Sequence, residues 1–76
     1  MDIEFVYMPD KHMWYATNGC HRLGSVLYNS QTGRFFPEYQ DSEGRLVVYC
    51  GMHGMSALDD AQNWIRQGLR AEAENA

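Results

Sequence analysis

The chain is poor in cysteine and lysine, with only Cys20, Cys50 and Lys11 among its 76 residues. Two cysteines cannot make the disulfide framework that staples small secreted domains, so they read as free thiols packed as small hydrophobes. The cations are scattered singly, at Lys11, Arg22, Arg34, Arg45, Arg66 and Arg70. Phosphate neutralisation supplies much of the affinity of a nucleic-acid binder. No basic cluster is visible, so direct nucleic-acid binding is disfavoured. No apolar run reaches the roughly 18 residues that a membrane helix needs, and none is expected. The acidic start, Met1-Asp2-Ile3-Glu4, does not read as a secretory signal, which makes a cytoplasmic location the expectation. Internal repeats, low-complexity tracts and linkers are also missing, leaving one domain over residues 1–76.

Apolar and aromatic side chains are plentiful: 45% of residues are hydrophobic and ten are Trp, Tyr or Phe. A chain of this size buries only about 60% of its unfolded surface, so it needs a dense core. This composition supplies one without a staple, and it is too aromatic for a disordered chain. The formal charge is −4.

Residues 2–50 read as short strands. Asp2 to Met8 alternates, with Ile3, Phe5 and Tyr7 on one face and Glu4 and Val6 on the other. Pro9-Asp10-Lys11-His12 is a turn, followed by a strand over Met13 to Thr17. Asn18-Gly19 suits a two-residue type I′ hairpin, returning as a third strand over Cys20 to Tyr28 in which Gly24 signals a bulge or a close approach. A fourth strand spans Arg34 to Gln40, where Pro37 removes a ladder donor and points to a sheet edge or a bulge. After Asp41-Ser42-Glu43-Gly44, the run Arg45 to Cys50 looks the most buried strand and a central one. The connections are too short for crossover helices, so the strands should form an antiparallel meander.

The last third reads as a helix over residues 57–69. Leu58, Ala61, Ile65 and Leu69 recur at three- and four-residue spacing, and Ala57, Trp64 and Gly68 widen the stripe. Ser56 and Asp59 approximate a capping box, and Asp59 and Asp60 suit the positive end of the helix dipole. Gly68 reads two ways, as the residue ending the helix or as one allowing close approach to the sheet. Residues 70–76 are expected to fray. The fold class is thus α+β: a small antiparallel meander of four to five strands packed on one C-terminal helix.

Candidate chemistry is sparse. Cys20, His21, Cys50 and His53 are zinc-competent, and Cys50 and His53 have a two-residue spacing between them, with His12 as a further imidazole. Adjacent Cys20 and His21 on a strand point to opposite faces, and no paired-cysteine motif is present, so no metal or other cofactor is expected. Cys50 with His53 as nucleophile and base would need a third orienting group and a cleft. A non-enzymatic protein is expected.

The aromatic surplus points instead to a binding surface. Phe5, Phe35, Tyr49 and Trp64 are expected inside. Phe35 and Phe36 are consecutive, as are Trp14 and Tyr15, so one of each pair must look outward. Exposed Trp, Tyr and Phe are enriched at interface hot spots. The candidate partner surface is therefore Trp14, Tyr15, Phe36 and Tyr39, framed by the carboxylates Glu38, Asp41 and Glu43. Such a frame suits a larger protein with a basic surface, such as a nucleic-acid groove. The alternative is a nucleic-acid face built from Arg22, Arg34 and Arg45 with stacking aromatics.

No family motif is recognised. On Gly33-Arg34-Phe35, Gly44-Arg45 and Ser56 to Ala61, the ladder-then-helix order resembles three-strand-plus-helix DNA-binding modules of the integrase-arm type. That resemblance implies the topology. In size, acidity and aromatic content the chain is similar to phage and mobile-element proteins that block host machinery, anti-CRISPR proteins among them. That likeness implies an inhibitor occluding a partner's surface, as monomer or dimer.

Overall fold

In the computed structural model, which describes residues 2–75, five strands precede one helix. They are β1 (Glu4–Met8), β2 (Met13–Thr17), β3 (Arg22–Asn29), β4 (Arg34–Gln40), β5 (Leu46–Val48) and α1 (Leu58–Asn75). The sheet is an antiparallel meander in the order β1-β2-β3-β4-β5. The fold is therefore α+β, as the strand and helix patterns indicate.

Side-chain parity sorts the sheet into two faces. On one, the registered rows are Tyr7–Trp14–Val26–Pro37 and Phe5–Ala16–Gly24–Tyr39–Val47, flanked by the pair Tyr28–Phe35. The helix packs on this face, lying over β4 and β3. Ala16 and Val26 from the sheet and Ala61, Ile65 and Leu69 from α1 form the buried centre, with Phe5, Trp14, Phe35, Tyr39 and Trp64 packed around it. The three- and four-residue spacing of the helix stripe is what aims these residues at the sheet.

Several local expectations are corrected. The helix runs on to Asn75 rather than fraying from residue 70. Ala71, Glu72, Ala73 and Glu74 are strong or good helix formers and carry it onward, and Glu72 Oε2 accepts a 3.4 Å hydrogen bond from the Ser42 N–H. Gly68 is not a helix stop. A Cβ there would lie 2.3 Å from the Tyr39 ring, so its role is close approach to the sheet. The capping box is not formed. The helix begins two residues after Ser56, and it is the Ala57 carbonyl that accepts the first helical N–H, from Ala61 at 3.3 Å.

The β2–β3 connection is not a two-residue hairpin. Asn18 Oδ1 accepts hydrogen bonds from the Cys20 and His21 N–H groups, both at 2.9 Å. Thr17 Oγ1 accepts one from Gly19 N–H and donates one to the His21 carbonyl. This side-chain-stapled turn outcompetes the type I′ geometry, and only Gly19 takes positive φ. It displaces Cys20 from the strand into the turn. Across the sheet, a bulge between Ala16 and Thr17 accompanies Gly24, whose missing Cβ would sit 2.5 Å from the Glu38 carbonyl oxygen.

Pro37 does not mark an edge either. It is buried in β4, second from the end of the sheet. Its carbonyl accepts from Tyr49 N–H at 3.1 Å, so its donorless nitrogen also faces the β5 side, where the ladder has already ended at Val48. The missing donor thus falls where no strand needs it. Conversely, β5 is not central: it has only three residues and forms the edge, with Leu46 and Val48 turned outward.

Candidate functional site: the uncovered sheet face

The face opposite the helix carries the rows Met8–Met13–Leu27–Phe36 and Val6–Tyr15–Ser25–Glu38–Val48, with Gln40–Leu46 beyond. An antiparallel sheet with one solvated face ordinarily alternates apolar in and polar out. Here half of the outward positions are apolar, gathered in the middle of the face. Val6, Leu27, Leu46 and Val48 are 38%, 42%, 57% and 53% exposed, and Met8, Met13, Tyr15 and Phe36 are half-buried among them.

Polar groups ring this face: the pairs Glu4–Thr17 and Asn29–Arg34 and the residue Gln40 lie at its ends, with Ser25 and Glu38 inside it. Arg22 lies 4.2 Å over the Tyr15 ring centre, and its Nη2 donates to Met8 Sδ at 3.9 Å. Its charge therefore rests on the apolar surface rather than beside a carboxylate. Glu38 stands between Ser25 and Val48 in the middle row. Beside Phe36 lies a shallow depression of about 500 Å³, lined by Asn29, Thr32, Arg34, Met52 and His53, with Met52 largely exposed. Arg34 fixes that wall. Its Nε donates to the His53 carbonyl at 2.8 Å and its Nη2 to the Gly54 carbonyl at 3.4 Å. Phe35 and Met55 exchange two backbone bonds of 2.8 and 2.7 Å, holding the same loop to β4.

The residues expected at a partner surface divide three ways. Tyr15, Phe36 and Glu38 lie together on the uncovered face. Trp14 and Tyr39 turn to the helix side: Trp14 stacks between Tyr7 and Phe35 at 4.8 and 5.8 Å, and Tyr39 lies 5.2 Å from Trp64. In each consecutive aromatic pair the helix claims one ring and leaves the other outside. Asp41 and Glu43 sit in the β4–β5 turn, where Asp41 Oδ1 accepts from the Glu43 and Arg45 N–H groups at 2.9 and 2.8 Å. Glu43 pairs with Arg45 at 2.9 Å. The carboxylate frame is thus spent largely on the turn, and Glu38 alone stands on the face.

The three arginines of the alternative surface do not gather. Arg22 lies on Tyr15, Arg34 is bonded to loop carbonyls at the far end of the sheet, and Arg45 is paired in the turn. Cys20 and Cys50 are both exposed rather than packed as hydrophobes. Cys20 is in the β2–β3 turn, while Cys50 and His53 follow β5 at the opposite end, so Cys20 cannot join them. Among the described residues no three His, Cys, Asp or Glu side chains gather to hold a metal ion, and no helix is long and apolar enough to cross a membrane.

Sequence reasoning missed Val6, Met8, Met13, Leu27, Leu46 and Val48. The signal was present as strands apolar at both parities, MWYA in β2 and LVV in β5 above all. No protein-family description, curated protein or solved structure matches the chain.

Proposed function

We propose that the chain is a non-enzymatic interaction domain that docks a larger protein on the uncovered sheet face. The observation that carries this reading is the pair of registered rows, one apolar from β1 to β4 and the other setting Val6, Tyr15 and Val48 about Ser25 and Glu38, with nothing packed on them among the described residues. The four exposed aliphatic side chains leave on the order of 300 Å² of apolar surface in water, the scale at which a patch on a monomer is often functional. Covering it contributes roughly 7 kcal/mol at about 25 cal/mol per Å². Association itself costs at least about 4 kcal/mol. Those four alone would give only a millimolar-range affinity, so Met8, Met13, Tyr15 and Phe36 must be part of any useful interface.

The narrower form of the reading is an inhibitor of the phage or mobile-element kind, anti-CRISPR proteins included, that occludes a basic surface of host machinery. Its support is the charge of −4 and the position of Glu38 within the face. Asp41 and Glu43 no longer add to it, being committed to their turn. The arginine-based nucleic-acid reading has no observation in its favour beyond Arg22.

The test is capture from source-cell lysate, with and without nuclease, using the wild type, Leu27→Glu/Val48→Glu and the helix-surface variant Gln67→Glu. A stoichiometric protein held by the wild type and Gln67→Glu, and lost by the face variant, is the expected result. Equal retention by the face variant would refute the docking surface. Recovery of nucleic acid, with partners lost on digestion, would promote the arginine reading. With a partner in hand, Glu38→Lys should slow association and flatten its salt dependence; unchanged kinetics would remove the basic-surface form.

A further inference from the structure

We propose that β1 pairs along its free edge with β1 of a second copy of this chain, antiparallel about a two-fold axis at Val6. The two edges of the sheet are built differently. Strand β5 has three residues and lies beside a turn, an edge too short to template much. Strand β1 has five, Glu4-Phe5-Val6-Tyr7-Met8, paired to β2 through all five without a bulge. Natural edges are protected by Pro, Lys, bulges or covering elements. This one has no Pro, Lys or bulge within its length, and α1 packs mainly over β4 and β3, reaching β1 through Arg66 on Phe5 rather than along its edge.

A two-fold pairing of antiparallel strands must set side chains of the same sheet face opposite each other, so only every second register is open to it. The register about Val6 uses every residue of the strand. It sets Phe5 against Tyr7 of the copy, Val6 against Val6, and Glu4 against Met8, so no like charges are opposed within the strand. The aromatic chain Tyr28–Phe35–Trp14–Tyr7 has spacings of 5.0, 5.8 and 4.8 Å and stops at this edge, where Tyr7 is 46% exposed. Phe5 of the copy continues it. Arg66, 4.9 Å over the Phe5 ring centre, then covers the Phe5–Tyr7 pair.

Charge beyond the strand is mixed. Between the start of β1 and α1 runs a groove of about 630 Å³ whose charged lining is Asp2, Glu4, Arg66, Arg70 and Glu74. The register brings the Pro9–Asp10–Lys11 turn of the copy to its mouth. Asp10 of the copy comes beside Asp2, a like pair that Arg66 and Arg70 offset in part, Glu4 and Glu74 lining the same groove; neither arginine makes an ion pair among the described residues. Lys11 of the copy is placed to meet Asp2 or Glu4. Because the axis stands perpendicular to the sheet, both helices lie on one side and the apolar face stays open, doubled in width. The pairing therefore stands independently of what docks on that face.

Sedimentation equilibrium from micromolar to millimolar protein should find a species of twice 8.8 kDa. In a Cys20→Ser/Cys50→Ser background, Val6→Cys should oxidise to a crosslinked dimer, since residues opposed at the axis have Cα atoms about 4.5–5.5 Å apart, within disulfide range. Leu27→Cys, at the centre of the open face, should not. Val6→Lys, at an exposed position where folding tolerates a charge, should sediment as a monomer while its circular dichroism matches the wild type. A monomer throughout the concentration range, crosslinking through Leu27→Cys instead of Val6→Cys, or equal crosslinking at both would each overturn the proposal.

Discussion

Gly68→Ala isolates the contact that seats the helix on the sheet. In an ordinary helix interior the exchange stabilises by about 1 kcal/mol, because glycine loses more backbone entropy on folding. Here the new Cβ would fall 2.3 and 2.4 Å from the Cε1 and Cζ atoms of Tyr39. The ring cannot simply swing away, because it stacks on Trp64 at 5.2 Å. Overpacking of this kind costs about 1–3 kcal/mol, so the steric effect wins. The net loss should be about 1 kcal/mol, lowering Tm by roughly 5 °C in a domain of this size. Urea unfolding followed by circular dichroism measures it directly. The decisive comparison is the same exchange in a Tyr39→Leu background, where the obstructing ring is gone and alanine should stabilise. The resulting coupling of about 2 kcal/mol lies within the range found for residues in contact. Equal stabilisation by Gly68→Ala in both backgrounds would show that residues 39 and 68 do not touch, and the seating described here would be wrong.

Four further outcomes are expected from equilibrium unfolding. Gly24→Ala should cost about 3 kcal/mol, near the top of the overpacking range, since its Cβ would meet the Glu38 carbonyl oxygen at 2.5 Å and the Tyr39 Cα at 3.1 Å, both backbone. Ala57→Ser should stabilise by about 1 kcal/mol by supplying the side-chain cap that the helix lacks; no gain would mean that the helix start is placed wrongly. Asn18→Ala should cost about 1 kcal/mol through the loss of the two bonds to the Cys20 and His21 N–H groups. Glu43→Gln should change stability by less than about 0.5 kcal/mol at any salt concentration, because both partners of the Glu43–Arg45 pair are mostly solvated, at 65% and 77% exposed.

Much of the architecture was legible because it rests on periodicity and chain length. Alternation in Ile3–Phe5–Tyr7, the stripe Leu58–Ala61–Ile65–Leu69 and the short connections are local signals, and they led to a meander with one helix. What the sequence did not reveal depends on neighbours. Whether Pro37 damages a ladder turns on where β5 stops, and that is set by the partner strand. Leu46-Val47-Val48 reads as buried because apolar runs usually are, yet the last strand of a meander is an edge by topology. Which of Trp14 and Tyr15 faces the helix follows from register, and a one-residue shift would exchange them. Cys20 left its strand because Asn18 and Thr17 bonded the backbone of their own turn. At the candidate site, Tyr15, Phe36 and Glu38 were legible from residue type, whereas Leu27, Leu46 and Val48 were not, because an apolar side chain in a strand carries no local mark of which face it takes.

The uncovered face follows from a shortage of covering elements. Five strands about 4.8 Å apart span roughly 24 Å, whereas one helix with its side chains is about 10 Å across. The helix accordingly packs mainly on β4 and β3 of one face, reaches β2 and β1 only through side chains such as Ala16 and Phe5, and leaves the opposite face and the outer edge of β1 without cover. Small antiparallel sheets can live with such a shortage by placing polar side chains outward. Ser25, Glu38 and Gln40 show that this chain does so at some outward positions. At Val6, Leu27, Leu46 and Val48 it does not, although polar residues at positions this exposed would cost the fold no more than about 0.5 kcal/mol each. Folding therefore gives no account of their apolar character. Docking, as proposed above, does, and the same reasoning applies to Tyr7 at the end of an aromatic chain that stops at the edge of the sheet.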